Sequence, residues 1–333
     1  MTTIRDVAKQ AEVSPSTVSH VLNDTRFVSE PTRERVLAAI KELHYRPNIL
    51  ARSLRRQETR MLGIIIPDNA NPFFAEIVHG VEDFIFDENY TLLLGNSDGN
   101  SEKELTYLDL FINKQVDGVV LVSSAAENRA SIDLLAANAV PTVIVDREIE
   151  IDSSDTVLVD NLAGGYQMTN YLLELGHRRI GCITGPSQLT PSAQRVTGYQ
   201  QALKEAGVLI DPQLIVAGDF HSASGYRAAQ TLFALSERPT AIFACNDMMA
   251  LGVLGAAHDA GLDVPREVAV AGFDNIELGE LILPRLTTIA QPTYEMGNLA
   301  AELLVQRLRE PERPSERRVL LVHLIEREST RPS

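Results

Sequence analysis

The sequence predicts a small helical head followed by a large α/β body in which two doubly wound, mainly parallel sheets form two subdomains. Apolar residues recur at helical spacing over the first 45 residues, whereas short β-rich apolar runs alternate with amphipathic helices later in the chain. That alternation lasts for about 270 residues, which is too long for one sheet of ordinary size. We therefore expect a head at 1–46, a linker at 47–60 and a body at 61–333.

Two short helices joined by a tight turn open the chain. In the first helix the apolar residues fall at i, i+3, i+4 and i+7, at Ile4, Val7, Ala8 and Ala11. Ser14 is a good N-cap for the second helix and Pro15 suits its first turn. The inner face of that helix is formed by Val18, Val21 and Leu22. In this arrangement the second helix enters the major groove of DNA and presents its N-terminal side chains to the bases.

The candidate base-reading side chains are Ser16, Thr17 and His20 on the second helix. The net charge of −15 would by itself argue against a polyanionic partner. However, residues 1–60 carry 11 Lys or Arg against 7 Asp or Glu, so this segment is +4 and the remainder is −19. The alternative is that these charges form a solvated helix face, but they coincide with the helix-turn-helix pattern.

A third helix, from about Ser29 to His44 with Ser29 as its cap, closes the core of the head. The segment from Arg46 to Arg56 has too little apolar surface to fold alone, and we interpret it as a hinge helix that orders on DNA. Leu54, flanked by arginines, suits an apolar wedge in the minor groove. The alternative is a plain linker in which Leu54 packs on the body.

The head resembles the lac repressor family, in particular its purine-repressor and ribose-repressor branch. The resemblance rests on Thr3 to Ala8 (TIRDVA), Ser16 to Asn23 (STVSHVLN) and Ala51 to Leu54 (ARSL). It implies a homodimer on palindromic double-stranded operator DNA, with two hinge helices that insert two copies of Leu54. Pro15 replaces a polar residue that close relatives often carry, so the bases read by the second helix stay open. The DNA-contacting residues that the resemblance and the pattern indicate are Thr3, Ser16, Thr17, His20, Asn23, Arg26, Ala51, Leu54 and Arg55.

The strands of the body are predicted from short β-rich apolar runs. These runs are Leu62 to Ile66, Thr91 to Leu94, Gly118 to Val122, Thr142 to Val145, Arg179 to Thr184, Ala241 to Ala244, Val268 to Gly272 and, last, Val319 to Ile325. A break near Asp160 separates two similar halves. The family resemblance implies a type I periplasmic-binding-protein-like body, with an N-subdomain at about 61–160 and 291–320 and a C-subdomain at about 161–290 and 321–333.

Aromatic, charged and amide side chains recur directly after successive strands, where the ligands of open α/β sheets bind. Aromatic rings cover the apolar face of a sugar, and Asp, Asn, Gln and Arg pair with its hydroxyls. Taken singly, such an Asp is more often a helix cap, such an Arg a surface charge and such a Phe pair part of a core. The recurrence favours a sugar site formed by Asn71, Phe73, Phe74, Asp146, Arg147, Arg195, Phe220, Asn246, Asp274 and Gln291.

The same positions resemble those of periplasmic ribose-binding protein. The resemblance implies that Phe73, Phe74 and Phe220 sandwich the ring and that the polar residues bind the hydroxyls, so ribose is the leading effector. Leu189 replaces the arginine that purine repressors use against the base, which counts against a purine. Another pentose or hexose and a purine-type corepressor remain alternatives. Whether the effector releases the protein from DNA or promotes binding stays open, although a sugar-operon repressor is expected to be released.

Other classes of protein fit the sequence less well. It lacks a zinc-type His-Glu motif and a phosphate-binding Walker loop, so we expect neither an enzyme nor a cofactor or metal site. A secreted transport receptor is a further alternative, but Met1 to Lys9 has no apolar signal segment. Cys182 and Cys245 are interpreted as buried hydrophobes in a reducing cytoplasm.

The sequence favours a dimer. Surplus apolar residues lie on the helix around Ile77 and at Leu278 to Leu283, and there is no trailing leucine heptad.

Overall fold

The computed structural model describes residues 2–23, 26–45, 58–122, 129–148 and 154–331. The chain divides into two compact units, a head of Met1–Thr59 and a body of Arg60–Ser333. The predicted hinge contacts Ala51, Leu54 and Arg55 lie outside the described residues. Among the helices of the described segments, none is long and apolar enough to cross a bilayer.

Three helices form the head: α1 (Ile4–Gln10), α2 (Pro15–Asn23) and α3 (Glu30–Glu42). Thr3 and Asp6 form a capping box at the start of α1, in which the Thr3 hydroxyl donates to the Asp6 carboxylate at 2.7 Å. Ser14 caps α2 as predicted, because its Oγ accepts from the Thr17 backbone N–H at 3.1 Å. The Ser29 hydroxyl makes no such cap on α3 and contacts the Thr32 hydroxyl at 2.9 Å instead. The apolar residues predicted to face inward form the buried core.

The body alternates strands and helices. Its strands are β1 (Met61–Ile66), β2 (Thr91–Asn96), β3 (Gly118–Leu121), β4 (Thr142–Val145), β5 (Asp155–Val159), β6 (Ile180–Thr184), β7 (Ile215–Ala217), β8 (Ala241–Ala244), β9 (Ala269–Asp274), β10 (Thr287–Ala290), β11 (Arg317–Leu320) and β12 (His323–Ile325). Its helices are α4 (Pro72–Asp87), α5 (Ser101–Asn113), α6 (Arg129–Ala137), α7 (Asn161–Glu174), α8 (Thr190–Glu205), α9 (Ser222–Phe233), α10 (Asp247–Asp259), α11 (Leu278–Leu281) and α12 (Thr293–Arg309).

The strands form two six-stranded sheets in the orders β11-β5-β4-β3-β1-β2 and β12-β10-β9-β8-β6-β7. Every pairing is parallel except that of β10 with β12. The chain passes from one sheet to the other after β5, after β10 and after β11. The predicted fold class of two doubly wound, mainly parallel sheets behind a helix-turn-helix head is confirmed.

The strand prediction was wrong at the end of the chain and incomplete elsewhere. The run from Val319 to Ile325 is two strands in different sheets, and Leu321 between them is 77% exposed. This mainly apolar run, interrupted only by His323, does not indicate at which residue the chain changes sheet. The strands β5, β7 and β10 were not predicted. The edge strand β7 is partly exposed and lacks a buried apolar run, whereas β5 and β10 begin with buried polar residues, Asp155 and Thr287.

Two glycines allow α7 and α8 to contact each other through their backbones. A Cβ on Gly165 would lie 2.2 Å from the Arg195 carbonyl oxygen, and one on Gly198 would lie 2.2 Å from the Leu162 carbonyl oxygen. Both distances are far below van der Waals contact, so larger residues would push the helices apart. This close approach fixes the position of Arg195 on α8.

A buried carboxylate ties the last helix of the body to the first sheet. Asp155 is fully buried and accepts hydrogen bonds from Arg307 Nε and Nη2, each at 2.9 Å, and from Arg313 Nη2 at 2.6 Å. The Glu316 backbone N–H donates to the same carboxylate at 2.8 Å. Asp155 therefore joins β5 to the end of α12 and to the loop that leads into β11.

Replacing Asp155 by Ala should lower the free energy of unfolding by about 3–5 kcal/mol, because two buried guanidinium groups lose their shared partner. Urea denaturation followed by circular dichroism measures this loss. Arg266→Ala, which removes an exposed ion pair with Asp263, is the control and should leave the free energy near that of the wild type. Equal, small effects of both substitutions would contradict the structural role of Asp155.

Candidate functional site

A small polar cavity lies where the carboxyl ends of strands from both sheets meet. Its volume is about 40 Å³, and a chamber of about 260 Å³ adjoins it and shares Asn71, Phe74, Arg147 and Phe220. The cavity is lined by Asn71, Phe73, Phe74, Asp146, Arg147, Pro191, Arg195, Phe220, Asn246 and Asp274. The structure thus brings together nine of the ten residues predicted for the effector site. The tenth, Gln291, contacts Asp274.

The segment after β1 supplies two aromatic rings and an amide. The Asn71 side chain caps α4 by accepting from the Phe73 backbone N–H at 3.1 Å. This cap aims the first turn of α4 at the cavity. The rings of Phe73 and Phe74 meet edge to face, with centroids 5.0 Å apart.

Asp146 and Arg147 follow β4 and are both 4% exposed. The Arg147 Nη1 donates to Asp146 Oδ2. The other carboxylate oxygen, Oδ1, is buried and has no hydrogen-bond partner among the described residues. Burial raises the pKa of Asp146, although the nearby charges of Arg147 and Arg195 act to lower it.

Arg195 connects several parts of the second sheet with one guanidinium group. Its Nε donates to Asn161 Oδ1 at 2.8 Å, and its Nη1 donates to the Cys245 carbonyl oxygen at 2.6 Å. The same Nη1 lies 3.5 Å from Asp274 Oδ1, and the guanidinium carbon lies 3.8 Å from the centre of the Phe273 ring. Arg195 is therefore held in one orientation with its charge beside the cavity.

Asp274 and Gln291 form a second buried polar pair. The Gln291 Nε2 donates to Asp274 Oδ1 at 2.7 Å, while Gln291 Oε1 is buried with no partner among the described residues. Burial raises the pKa of Asp274 well above its ordinary value, against the opposing effect of Arg195. With Asp146 and Arg147, the cavity wall holds two carboxyl groups and two guanidinium groups, and each carboxyl group lies beside one guanidinium group.

Asn246 fixes the third aromatic ring. Its Oδ1 caps α10 by accepting from the Met249 backbone N–H at 2.9 Å, and its Nδ2 donates to the Phe220 carbonyl oxygen at 3.0 Å. Phe220 has a φ of 70°, Asp146 a φ of 65° and Asp274 a φ of 123°. Three cavity residues thus occupy the left-handed region that side chains rarely adopt, a feature that clusters at binding sites.

Sequence reasoning missed several residues around the cavity. Pro191 lines it and Asn161 orients Arg195; Asn161 follows β5, a strand that was not predicted. The outer chamber includes Asp68 and His221, whose Oδ2 and Nε2 lie 3.6 Å apart. Asp68 closely follows β1, so the rule that directs attention to strand ends could have found it.

In the head, Ser16 and Arg26 are exposed, and Thr17 and His20 are half-buried. Thr17 also contacts Ser14, with 2.9 Å between their hydroxyl oxygens. Thr3 is exposed and is part of the capping box of α1, while Asn23 is the last residue of α2. The α2 positions chosen as base readers therefore lie on one short helix, which is the geometry that a major-groove reader requires.

The sequence matches two known families. Residues 3–48 match the lacI family of bacterial regulatory proteins, and residues 169–330 match a periplasmic binding protein-like domain. The HTH-type transcriptional repressor PurR of Photobacterium profundum is 41% identical over 320 residues, which cover 96% of this chain and 95% of that protein. The chain belongs to the lacI family. The predicted family is thereby confirmed, and this lacI family protein is a DNA-binding transcriptional regulator with a ligand-binding body.

Three solved structures resemble this lacI family protein along most of their length. The lac repressor dimer bound to operator and the anti-inducer ONPF has a TM-score of 0.89 at 26% identity and covers 99% of both chains. The CelR–cellobiose complex has a TM-score of 0.76 at 34% identity, with 99% of this chain and 100% of that chain covered. A regulator from Enterococcus faecium with bound ribose has a TM-score of 0.75 at 31% identity, with 82% and 99% covered.

Replacing Asp274 by Asn should make the free energy of unfolding of this lacI family protein less dependent on pH. Because the pKa of Asp274 is raised in the folded state, its bound proton stabilises the fold. That contribution is complete below the ordinary value of 3.8 and is lost as the pH rises through the raised pKa. The free energy of unfolding is measured by urea denaturation at about pH 5 and at about pH 8. Relative to the wild type, the variant should be more stable at the higher pH than at the lower pH. A difference that stays constant with pH would refute the raised pKa.

Proposed function

We propose that this protein is a sequence-specific repressor whose affinity for operator DNA is controlled by ribose in the cavity of the body. In this proposal residues 1–46 read DNA, 47–60 form the hinge, and 61–333 bind the effector and dimerise, with the N- and C-subdomains divided as the sequence predicts. The protein acts as a homodimer on a palindromic operator in the cytoplasm. It binds its effector without chemical turnover and needs no cofactor.

The observation that carries the proposal is Asp146 Oδ1, a buried acceptor atom of a cavity-lining residue that has no partner among the described residues. Gln291 Oε1, next to the cavity residue Asp274, is a second such acceptor. A buried acceptor that lacks a donor costs about 1–3 kcal/mol, so a ligand that supplies donors removes that cost on binding. Since each guanidinium group of the wall already lies beside a carboxyl group, the ligand that fits needs no charge of its own. A polyhydroxyl compound meets both conditions, because each hydroxyl donates one hydrogen bond and accepts others.

Among polyhydroxyl compounds, the aromatic rings of the cavity favour a sugar. Phe73, Phe74 and Phe220 line the cavity together with the charged groups, so apolar faces and hydrogen-bonding groups alternate around one small space. A sugar ring has the matching pattern of C–H faces and hydroxyl edges. The similarity to the ribose-bound regulator of Enterococcus faecium supports ribose, whereas the CelR–cellobiose complex keeps other sugars open for this fold.

A purine-type corepressor is the second candidate, and the similarity to PurR along almost the whole chain favours it. Against it stands Leu189, which lines the outer chamber where purine repressors place an arginine against the base. The leucine is 8% exposed and offers a purine no hydrogen bond. The two candidates also differ in their effect on the affinity for DNA, because a corepressor strengthens DNA binding and an inducing sugar weakens it.

The proposed mechanism couples the cavity to DNA through closure of the two subdomains. Three connections between the sheets allow the subdomains to rotate about them, and a ligand held between strand ends from both sheets stabilises the closed form. In the dimer this closure displaces the N-subdomains, separates the paired hinges and lowers DNA affinity. Such couplings are typically about 1–3 kcal/mol, or about 5–150-fold in affinity.

Addition of ribose should weaken binding of the protein to its operator by a factor in that range. The operator is first selected from random duplexes with the ligand-free protein, and affinity is then measured by fluorescence anisotropy with and without ribose at one salt concentration. The comparison ligands are hypoxanthine, guanine, cellobiose and ribose 5-phosphate. Ribose 5-phosphate should have no effect, because both guanidinium groups of the cavity already lie beside carboxyl groups. Tighter DNA binding with a purine would establish the second candidate, and no response to ribose would remove the ribose assignment.

Asp146→Asn should weaken ribose binding roughly ten- to hundredfold in calorimetric titrations, because one of the two oxygens, which pair with Arg147 and face the proposed sugar hydroxyl, becomes an NH2 group. Operator affinity without sugar should stay unchanged. Asp263→Asn, the same change at an exposed position remote from the cavity, should bind ribose like the wild type. Unaltered ribose affinity in Asp146→Asn would exclude a direct contact with this carboxylate.

A further inference from the structure

The carboxylate of Asp247 lies behind the cavity wall. Asp247 is the first residue of α10 and directly follows the cavity residue Asn246. It is completely buried and does not line the cavity, so it has no direct contact with an effector there. Burial raises the pKa of Asp247 to about 7, which means that the fold keeps a carboxylate where its charge is costly.

The hydrogen bonds of Asp247 converge on the turn that follows β9. Its Oδ2 accepts from the Ile276 backbone N–H at 2.9 Å, and its Oδ1 accepts from the Thr288 hydroxyl at 2.7 Å. The Thr288 oxygen in turn accepts from the Asn275 backbone N–H at 3.3 Å. One carboxylate therefore holds two consecutive backbone N–H groups, one directly and one through Thr288.

The turn held in this way contains the effector-site residue Asp274. Asp274 has a φ of 123° and Asn275 has a φ of 63°, so two successive residues with side chains occupy the left-handed region. Such backbone persists only where surrounding contacts determine it. Gly272 on the same strand completes the arrangement, because a Cβ there would lie 2.1 Å from Asp247 Oδ1 and would displace the carboxylate.

We infer that Asp247 is a positioning residue of the effector site, which holds the strained turn at 274–276 so that the Asp274 carboxylate points into the cavity beside Arg195. Asp247 acts through Asp274 and does not touch the effector. The inference rests on the proposed function for the identity of the effector, but the geometry of the turn does not depend on that identity.

The first test needs no ligand. Asp247→Asn keeps the shape of the side chain but replaces one of its two acceptor oxygens by an NH2 group, which cannot accept from the Ile276 N–H or from the Thr288 hydroxyl. Hydrogen–deuterium exchange of the full-length protein should therefore be faster in peptides that cover 274–278. Exchange in β6 should not change. Asp259→Asn, at the exposed far end of the same helix, is the matched control and should leave the turn as protected as in the wild type. Unchanged exchange at 274–278 in Asp247→Asn would overturn the inference.

The second test is a double-mutant cycle read out by calorimetric titration with ribose. Asp247→Asn alone should weaken binding by about tenfold or more. In the background of Asp274→Asn it should weaken binding by less than about threefold, because its effect acts through that residue. If each substitution instead weakens ribose binding by its own factor and the two factors multiply in the double variant, Asp247 only supports the general fold. That result would overturn the inference. Absence of ribose binding by the wild type would remove the ribose assignment, and the exchange experiment would still decide the role of Asp247.

Discussion

The organisation of the site depends on the contacts that the buried guanidinium group of Arg195 makes. It is 3% exposed, and hydrogen bonds to Asn161 and the Cys245 carbonyl hold it while it stacks on Phe273. Its position requires the close backbone contact of α7 with α8 at Gly165. A buried cation is stable only when it is paired and hydrogen-bonded, so its neighbours must supply a carboxylate. Asp274 lies in that place, 3.5 Å away.

The cavity contains a second pair of an acidic and a basic residue. A second pair, Asp146 and Arg147, comes from the other sheet, so each half of the body contributes one carboxyl group and one guanidinium group to the cavity. Both carboxyl groups have raised pKa values because burial outweighs the arginines beside them. Asp146 Oδ1 has no partner among the described residues, and this unfavourable contribution is one that a ligand with hydrogen-bond donors would reduce. This gives an energetic reason why a ligand would hold the two sheets together.

The same features also separate the roles of polar residues that look alike in the sequence. Asp146 and Asp274 border the cavity, Asp247 holds the backbone behind it, and Asp155 joins α12 to the first sheet through two arginines. All four are nearly or completely buried. What distinguishes them is the partner of each oxygen atom, and this depends on chain segments far apart in the sequence.

The sequence by itself determined the two kinds of domain, the helix-turn-helix and most strands, because helical and strand periodicities are local properties of the chain. It also located nine residues of the cavity, since carboxyl ends of parallel strands necessarily converge at one edge of a sheet. Only the tertiary structure decided that Val319 to Ile325 divides between two sheets, that Asn161 orients Arg195 and that Asp247 stays behind the wall. These outcomes depend on contacts between segments that are distant in the sequence, and no local pattern predicts them. Asn161 and Arg195 are 34 residues apart, and Asp247 and Thr288 are 41 residues apart.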